Sequence, residues 1–380
     1  MVKLPQGETM ANFLTREKPS ESLLFFLRRK DLGKIGEPSE ADLYVFSILS
    51  YVRFEKMAQA KVNSSTISAL CSFLLSDKDA KKELSQAERA FISALEHSPR
   101  FANIRISHFN SIFDEANQIT HANLLIHLPG KRLFLSYRGT DETLLSWKED
   151  ANMATTEVVP SEEIAAKTLD KLMDDYPQHS FYVGGHSKGG ILAVFAASSV
   201  SEEKQKRIRY VMDCDCPGFK GSLISMGGYE RILPKVHTFI PEYSIVGLVF
   251  RKKQPITVIK SSSKGPLSHY HFTWDIEYDH LVHTMEYASG TELDKGHLNE
   301  MMSRLTDAQL RNYMDTIYQL LKGDDDNLTL SDAFSPKNFF PFMARFGKLS
   351  ASERKNIRIV SGILLDVMIR YKPKKAVKKQ

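Results

Sequence analysis

The sequence predicts an α/β protein with a mostly parallel central sheet flanked by helices, and with helical extensions at both ends of the chain. Two patterns indicate this fold class. From about residue 121, short apolar strands alternate with helices, as in proteins built around a parallel sheet. Before that point and after about residue 290, apolar residues recur at helical spacing instead. The 380 residues are enough for one large domain with appended segments.

We therefore divide the chain into four segments. Residues 1–120 are expected to form a helical N-terminal region that packs on the core, and residues 121–290 form the core itself. Residues 291–371 are expected to form a helical C-terminal region, and residues 372–380 a basic tail.

Each element follows from its own pattern of apolar and turn-forming residues. Helices are expected at 41–51 and 86–95, at a segment capped by Ser161, and at 191–200, 298–321 and 352–371. Strands are expected at 122–128, 132–137, 181–183, 208–212, 236–240 and 256–259, with a Pro-Gly turn between the first two. The triple Asp at 324–326 ends a helix and lacks the ligand spacing of a calcium loop.

The net charge of +5 is concentrated at the C-terminal end. Residues 370–380 hold six basic side chains and no acid, which leaves −1 for the rest of the chain. The body therefore gives no reason to expect nucleic-acid binding. The tail is typical of a solvated terminus, and it also suits contact with an anionic membrane surface.

Cysteine usage favours a reducing, cytoplasmic location. Cys71, Cys214 and Cys216 form no disulfide framework, and no secretory signal or membrane span is present in the sequence. The Cys-x-Cys pair has no second pair or nearby His for a zinc site, so we expect two buried thiols at a strand end. No metal or cofactor is expected.

The central motif is Gly185-His186-Ser187-Lys188-Gly189. G-x-S-x-G is the pattern of the nucleophile elbow, a sharp strand-to-helix turn that raises the serine hydroxyl above a sheet. An apolar strand precedes it and an Ala-rich helix follows it, as that turn requires. The alternative is a glycine-rich turn whose helix binds a phosphate. The context favours an α/β-hydrolase in which Ser187 is the nucleophile.

An acyl-transfer site also needs hydrogen-bond donors for the oxyanion. The backbone N–H of Lys188, at the start of the elbow helix, is one. The second is expected in the loop that follows the 132–137 strand, which begins Arg138-Gly139-Thr140-Asp141.

Two groups of motifs resemble known families. Tyr137-Arg138-Gly139-Thr140, then Trp147 and Asp150, together with the elbow, resemble the class 3 (fungal-type) lipases. That resemblance implies that Thr140 contributes to the oxyanion hole. The closer similarity is to the bacterial Mbeg-like, lipase-related family of unknown function, carried by residues 138–141, 185–190, 216–219, 244–247 and 10–14. It implies a fold and a class of chemistry, and leaves the substrate open.

The general base should be a His after a late strand, because the order in this fold is Ser, acid, His. His269 is preferred because its place matches the family position, His271 is second, and His280 and His283 fall on an expected helix. In class 3 lipases an Asp follows the strand matching 236–240, but here that place holds Ser244. The acid is therefore Asp215, after the preceding strand, or Glu242, with Asp213 a weaker choice.

The sequence thus predicts a serine hydrolase that cleaves acyl esters of small molecules or lipids through an acyl-enzyme on Ser187. The alternative is a weak or inactive hydrolase-fold scaffold that binds a lipid or protein partner. Residues 141–160, with Leu144, Leu145 and Trp147, form either a lid over the site or plain packing.

Overall fold

A computed structural model describes residues 18–55, 64–219, 226–244, 246–250, 252–288, 300, 303–323, 328–329, 332 and 336–370. The predicted features at residues 10–14, 324–327 and 372–380 lie outside the described residues, as does Ile245 of the 244–247 motif.

A nine-stranded sheet forms the centre of the molecule, in the order β1-β2-β3-β4-β5-β6-β7-β8-β11. Strands β4 to β8 run parallel, and the pairings on either side of them are antiparallel. A separate ribbon pairs β9 with β10. The strands are β1 Ser64–Thr66, β2 Arg105–Asp114, β3 Ile119–Leu128, β4 Arg132–Tyr137, β5 Ser180–His186, β6 Ile208–Cys214, β7 Val236–Pro241, β8 Ile256–Ile259, β9 Ile276–Glu277, β10 His280–Leu281 and β11 His283–Thr284.

Helices cover both faces of this sheet. They are α1 Glu21–Arg28, α2 Glu40–Leu49, α3 Ile67–Ser76, α4 Lys78–Glu83, α5 Gln86–Glu96, α6 Leu144–Met153, α7 Pro160–Asp175, α8 Lys188–Ser199, α9 Glu202–Arg207, α10 Gly227–Ile232, α11 Asp307–Lys322, α12 Phe339–Gly347 and α13 Ala351–Arg370. Successive side chains along β4 point to opposite faces of the sheet, and they show which helices cover each face. Phe134 packs in the apolar cluster of α1, α2, α3 and α5, whereas Leu133 and Leu135 pack in that of α7 and α8.

The N-terminal helices are joined to the sheet by a buried ion pair as well as by apolar packing. Ser39 and Asp42 form a capping box that starts α2. The same Asp42 carboxylate, which is fully buried, accepts two hydrogen bonds of 2.6 Å from Arg100. Because an uncompensated buried charge is costly, this pair ties α2 to the chain entering β2.

The structure confirms the fold class and the predicted core strands, and corrects several details. Strand β2 was not expected, because its alternation is mixed and the segment before residue 121 was assigned to helices. Helix α7 begins at Pro160, with Ser161 inside its first turn. The expectation that His280 and His283 fall on a helix is wrong, since they lie in the short strands β10 and β11.

The C-terminal helices pack on α6. Leu144 and Leu145 are buried with Tyr318 and Leu321 of α11, so packing accounts for these two leucines, whereas Trp147 is 45% exposed. Across the described part of the chain, each helix is too short or too polar to cross a bilayer.

Candidate active site

Ser187 lies at a tight turn between β5 and α8. Its φ of 56° and ψ of −128° place it in a region of backbone conformation that favours glycine. Both motif glycines are required by close approach. A Cβ on Gly185 would lie 2.4 Å from the Gly189 carbonyl carbon, and one on Gly189 would lie 2.3 Å from the Tyr137 oxygen. The half-buried Ser187 is thus raised at the end of a central strand, as the elbow motif predicts.

His269 and Asp215 meet beside this turn. Strands β5 and β6 pair His186 with Cys214, so Ser187 and Asp215 leave the sheet side by side. The fully buried Asp215 carboxylate accepts a hydrogen bond of 2.6 Å from Nδ1 of His269, whose side chain is 23% exposed. Because a carboxylate accepts only, Nδ1 carries the hydrogen, and the Nε2 lone pair is left for proton transfer.

Among the described residues, no hydrogen bond joins the Ser187 hydroxyl to His269. Catalytic hydrogen bonds are often long before substrate binds, so this geometry is compatible with a resting site. What the structure fixes is the orientation of the imidazole by Asp215.

Two further groups hold the Asp215 carboxylate. The Ser244 hydroxyl donates to Oδ2 at 2.5 Å, and the Gly247 N–H donates to Oδ1 at 2.9 Å. Gly247 must be glycine, since a Cβ there would lie 2.4 Å from Oδ1. Ser244, at the place where class 3 lipases have their acid, therefore binds an acid supplied by the neighbouring strand.

The other acid candidates lie in different contacts. Glu242 forms an ion pair with Lys260 at 3.1 Å. Asp213 is buried against Lys252 at 2.7 Å, and its carboxylate also accepts from Thr238 and from the Cys216 amide. Of the three acids, the structure brings only Asp215 to His269 among the contacts of the described residues.

The loop after β4, which holds the predicted oxyanion donor Thr140, lies beside the elbow. A Cβ on Gly189 would be 3.0 Å from Gly139 N, so the loop after β4 touches the first turn of α8. The Thr140 hydroxyl donates to the Asp150 carboxylate, at 2.7 Å to Oδ2. Burial raises the pKa of Asp150 to about 6, against the opposing effect of Lys188. Lys188 is the first residue of α8, where a backbone N–H has no partner within the helix.

The Lys188 side chain has a role that the sequence does not indicate. Its ammonium is buried and forms an ion pair of 2.8 Å with Glu149 of α6, with further bonds to the Thr120 carbonyl and hydroxyl. Lys188 occupies a variable position of the G-x-S-x-G motif, so the motif does not predict a buried cation there. The pair joins α8, which begins at the elbow, to α6, which holds Asp150.

Three aromatic side chains lie next to the site, and the sequence does not indicate the contacts of His186 and Tyr51 there. His186 lies 2.7 Å through Nε2 from the His269 carbonyl oxygen, and 2.9 Å through Nδ1 from the Tyr51 hydroxyl. His271, the second choice for the base, stacks on Tyr51, and burial lowers its pKa to about 3. Tyr51 is the last residue of the predicted helix 41–51, where helical spacing indicates only packing, and it lies just beyond the observed end of α2 at Leu49.

The remaining candidates are not at the site. His280 lies beside Asp279, and His283 pairs with Glu40. Cys214 and Cys216 are free and buried, as expected for thiols at a strand end. In the described ranges, no cluster of three His, Cys, Asp or Glu is arranged to hold a metal.

A serine on a strand-to-helix elbow in a parallel sheet, covered by helices on both faces, defines the α/β-hydrolase fold. The chain belongs to the Mbeg1-like family, whose model matches residues 95–319, more than half of its length.

Solved structures of fungal lipases are similar at low sequence identity. The Rhizomucor miehei lipase in complex with its propeptide is 15% identical, with a TM-score of 0.37, over 61% of this chain and 76% of that one. The lipase of Rhizopus microsporus var. chinensis is 11% identical, with a TM-score of 0.36, over 61% of this chain and 83% of that one. No curated protein matches the chain by sequence.

Proposed function

We propose that this protein is a serine hydrolase that cleaves carboxylic esters through an acyl-enzyme on Ser187. His269 is the general base, Asp215 orients it, and the oxyanion donors are the Lys188 amide and Thr140, the latter through its backbone N–H because its hydroxyl hydrogen is donated to Asp150. The substrate is an acyl ester of a small molecule or a lipid. The observation that carries the proposal is the 2.6 Å bond between His269 and the buried Asp215 beside the elbow.

The reaction follows the usual course of acyl transfer. Nε2 of His269 takes the proton from the Ser187 hydroxyl as its oxygen attacks the ester carbonyl. The imidazolium then gives that proton to the leaving alkoxide, and an acyl-enzyme remains. Water, deprotonated by His269, attacks the acyl-enzyme and releases the carboxylic acid. Asp215 stays ionised and stabilises the imidazolium formed in each half-reaction.

Labelling with a fluorophosphonate probe tests the nucleophile. Wild-type protein should be labelled and Ser187→Ala should not. Ser198→Ala is the matched control, because that buried serine lies on the same helix and donates to the Val194 carbonyl. Equal labelling of wild type and Ser187→Ala would refute Ser187 as the nucleophile. Turnover of p-nitrophenyl esters of increasing chain length would then separate an esterase from a lipase.

The acid can be tested on the same assay. Asp215→Asn should lower kcat by up to about 10⁴-fold, as loss of the acid does in related triads. Glu242→Gln should leave kcat unchanged, because Glu242 is paired with Lys260. If Glu242→Gln lowered kcat and Asp215→Asn did not, the acid would be Glu242 instead.

One observation favours the alternative of an inactive scaffold. Within the described residues, the Ser187 hydroxyl is not hydrogen-bonded to His269. Absence of labelling in both wild type and Ser187→Ala, with both proteins folded, would support a scaffold that binds a lipid or protein partner.

A further inference from the structure

Tyr51 contacts three parts of the proposed site at once. Its hydroxyl lies 2.9 Å from Nδ1 of His186, the residue before the nucleophile. Its ring stacks on His271 with centroids 3.8 Å apart and planes at 8°. A Cβ on Gly139, in the oxyanion loop, would lie only 2.0 Å from the same hydroxyl. One side chain from the N-terminal region thus reaches the elbow, the oxyanion loop and the loop of the general base.

The hydrogen bonds around His186 have a definite direction. The ring is buried, and burial lowers its pKa well below the usual range, so the imidazole is neutral. Its Nε2 lies 2.7 Å from the His269 carbonyl oxygen, which can only accept, so Nε2 carries the hydrogen. Nδ1 is then an acceptor, and the Tyr51 hydroxyl donates to it. Burial also raises the pKa of Tyr51 well above its usual range, so the hydroxyl keeps its proton.

We propose that Tyr51 and His186 are positioning residues for His269, in which the Tyr51 hydroxyl donates to Nδ1 of the neutral His186 ring and holds that ring where its Nε2–H binds the backbone of the general base. The inference rests on the proposed function of His269. It extends the catalytic apparatus to Tyr51, which lies outside the family-matched residues 95–319. His269 is then held by two contacts. Asp215 orients its ring, and His186 orients its backbone.

Losing the Tyr51 hydroxyl leaves the buried Nδ1 of His186 without its donor, so the ring is held at one nitrogen instead of two. The ring can then tilt away from the His269 carbonyl oxygen, which would displace the backbone of the base. Misplacement by about 1 Å can cost on the order of 100-fold in rate. A net hydrogen bond corresponds to roughly five- to tenfold. We therefore expect losses between these limits.

Three variants separate the parts of this link. Tyr51→Phe keeps the stacked ring and removes only the donor. His186→Leu removes the bond to His269, and His186→Gln places an amide N–H near the position of Nε2. Tyr229→Phe is the matched control, because it removes a buried hydroxyl that donates to Gln254, away from the site. The readouts are the fluorophosphonate labelling rate and kcat and KM for a p-nitrophenyl ester, all well below the melting temperature.

The expected result is a fall of about tenfold in labelling rate and kcat for Tyr51→Phe and about 100-fold for His186→Leu, with KM nearly constant. His186→Gln should recover part of the loss, and Tyr229→Phe should match wild type. Wild-type rates in both Tyr51→Phe and His186→Leu would overturn the inference, because the link would then be structural only.

Nitrogen-15 NMR of the histidine rings gives a readout that needs no turnover. His186 should be a neutral Nε2–H tautomer in both wild type and Tyr51→Phe, and its Nδ1 signal should shift in Tyr51→Phe because that nitrogen loses its hydrogen-bond donor. An Nδ1–H tautomer in wild type would overturn the inference even in an active enzyme. Failure of the proposed function is distinct, since it would appear as unlabelled wild-type protein whatever the His186 tautomer.

Discussion

At the scale of single residues, the site differs from its class 3 resemblance in where the acid comes from. Asp215 follows β6, whereas the family acid follows the next strand, where this chain has Ser244. The two side chains hydrogen-bond at 2.5 Å, so the carboxylate of one strand occupies the space that an acid on the other would reach. Ser244 therefore contacts the proposed acid from the position where the resemblance places an acid.

Ser244→Ala should lower kcat by roughly tenfold, because it removes one of three donors to the buried Asp215 carboxylate. KM should change little, since Ser244 acts through Asp215 rather than on the substrate. Steady-state kinetics on a p-nitrophenyl ester would measure both. In an Asp215→Asn background the same substitution should have almost no further effect, and full additivity of the two losses would contradict this role.

The sequence anticipated the residues that meet at the site but not the contacts that hold them. Ser187 follows from the elbow motif, and His269 follows from chain order together with its match to the family position. The choice between Asp215 and Glu242 stayed open, because it depends on which strand end faces His269. The role of Tyr51 is not predicted by sequence patterns for a different reason, since its contacts join segments that are 88 or more residues apart.

At the scale of elements, helix α6 connects the elbow, the oxyanion loop and the C-terminal region through three consecutive residues. Lys148 pairs with Asp315 of α11 at 2.7 Å, Glu149 pairs with Lys188 at 2.8 Å, and Asp150 accepts from Thr140. Successive helical side chains point about 100° apart, so one short helix can contact three partners. The placement of Thr140 therefore depends on α6 as a unit.

Glu149→Gln should destabilise the fold by about 3–5 kcal/mol, because it leaves the buried Lys188 ammonium without its counter-charge. The double variant Glu149→Leu with Lys188→Met should recover much of that loss, since no unpaired charge remains. Urea unfolding would measure the three free energies. A double variant as unstable as Glu149→Gln would show that shape, not charge, governs this contact.

The start of helix α7 predicts a dependence of stability on pH. Glu162 is 6% exposed, and burial raises its pKa from 4.5 to about 7. Between these values the unfolded chain loses the proton that the folded protein keeps, so stability falls as pH rises through this window and is level above it. The carboxylate still accepts the Val159 N–H, which a glutamine could also do.

Glu162→Gln should therefore gain stability relative to wild type as pH rises, by on the order of 2 kcal/mol between about pH 5 and pH 8. Thermal or urea unfolding at several pH values would measure the difference. Glu163→Gln, at the exposed neighbouring position, is the control and should run parallel to wild type. A constant difference between Glu162→Gln and wild type would contradict the buried-carboxyl interpretation.

At the scale of the whole molecule, the sequence predicted the layered architecture but not the limits of the sheet. Alternation of strands and helices after residue 121 follows from local patterns, and the structure confirms it. Strand β2 joins the sheet through an antiparallel hairpin with β3, which its mixed sequence does not specify. Because β2 lies between β1 and β3, its strand conformation depends on these neighbours as well as on its own sequence.

Charge is also distributed unevenly between the C-terminal region and the rest of the chain. Residues 336–380 hold twelve basic and two acidic side chains, a net +10, so the rest of the chain carries −5. In the same region, Phe340 and Met343 on α12 are 79% and 47% exposed. Basic side chains beside exposed apolar ones are the combination that favours binding to an anionic membrane surface.

We therefore expect the full chain to float with phosphatidylserine-containing vesicles and not with phosphatidylcholine vesicles. A version ending at Ile369 loses six basic side chains. Each contributes about 1 kcal/mol near an anionic surface, so its binding should fall by at least tenfold. High salt should weaken binding of the full chain, because screening shortens the reach of the charges. Equal flotation of the full chain and the version ending at Ile369 would show that the basic tail does not contribute to membrane binding.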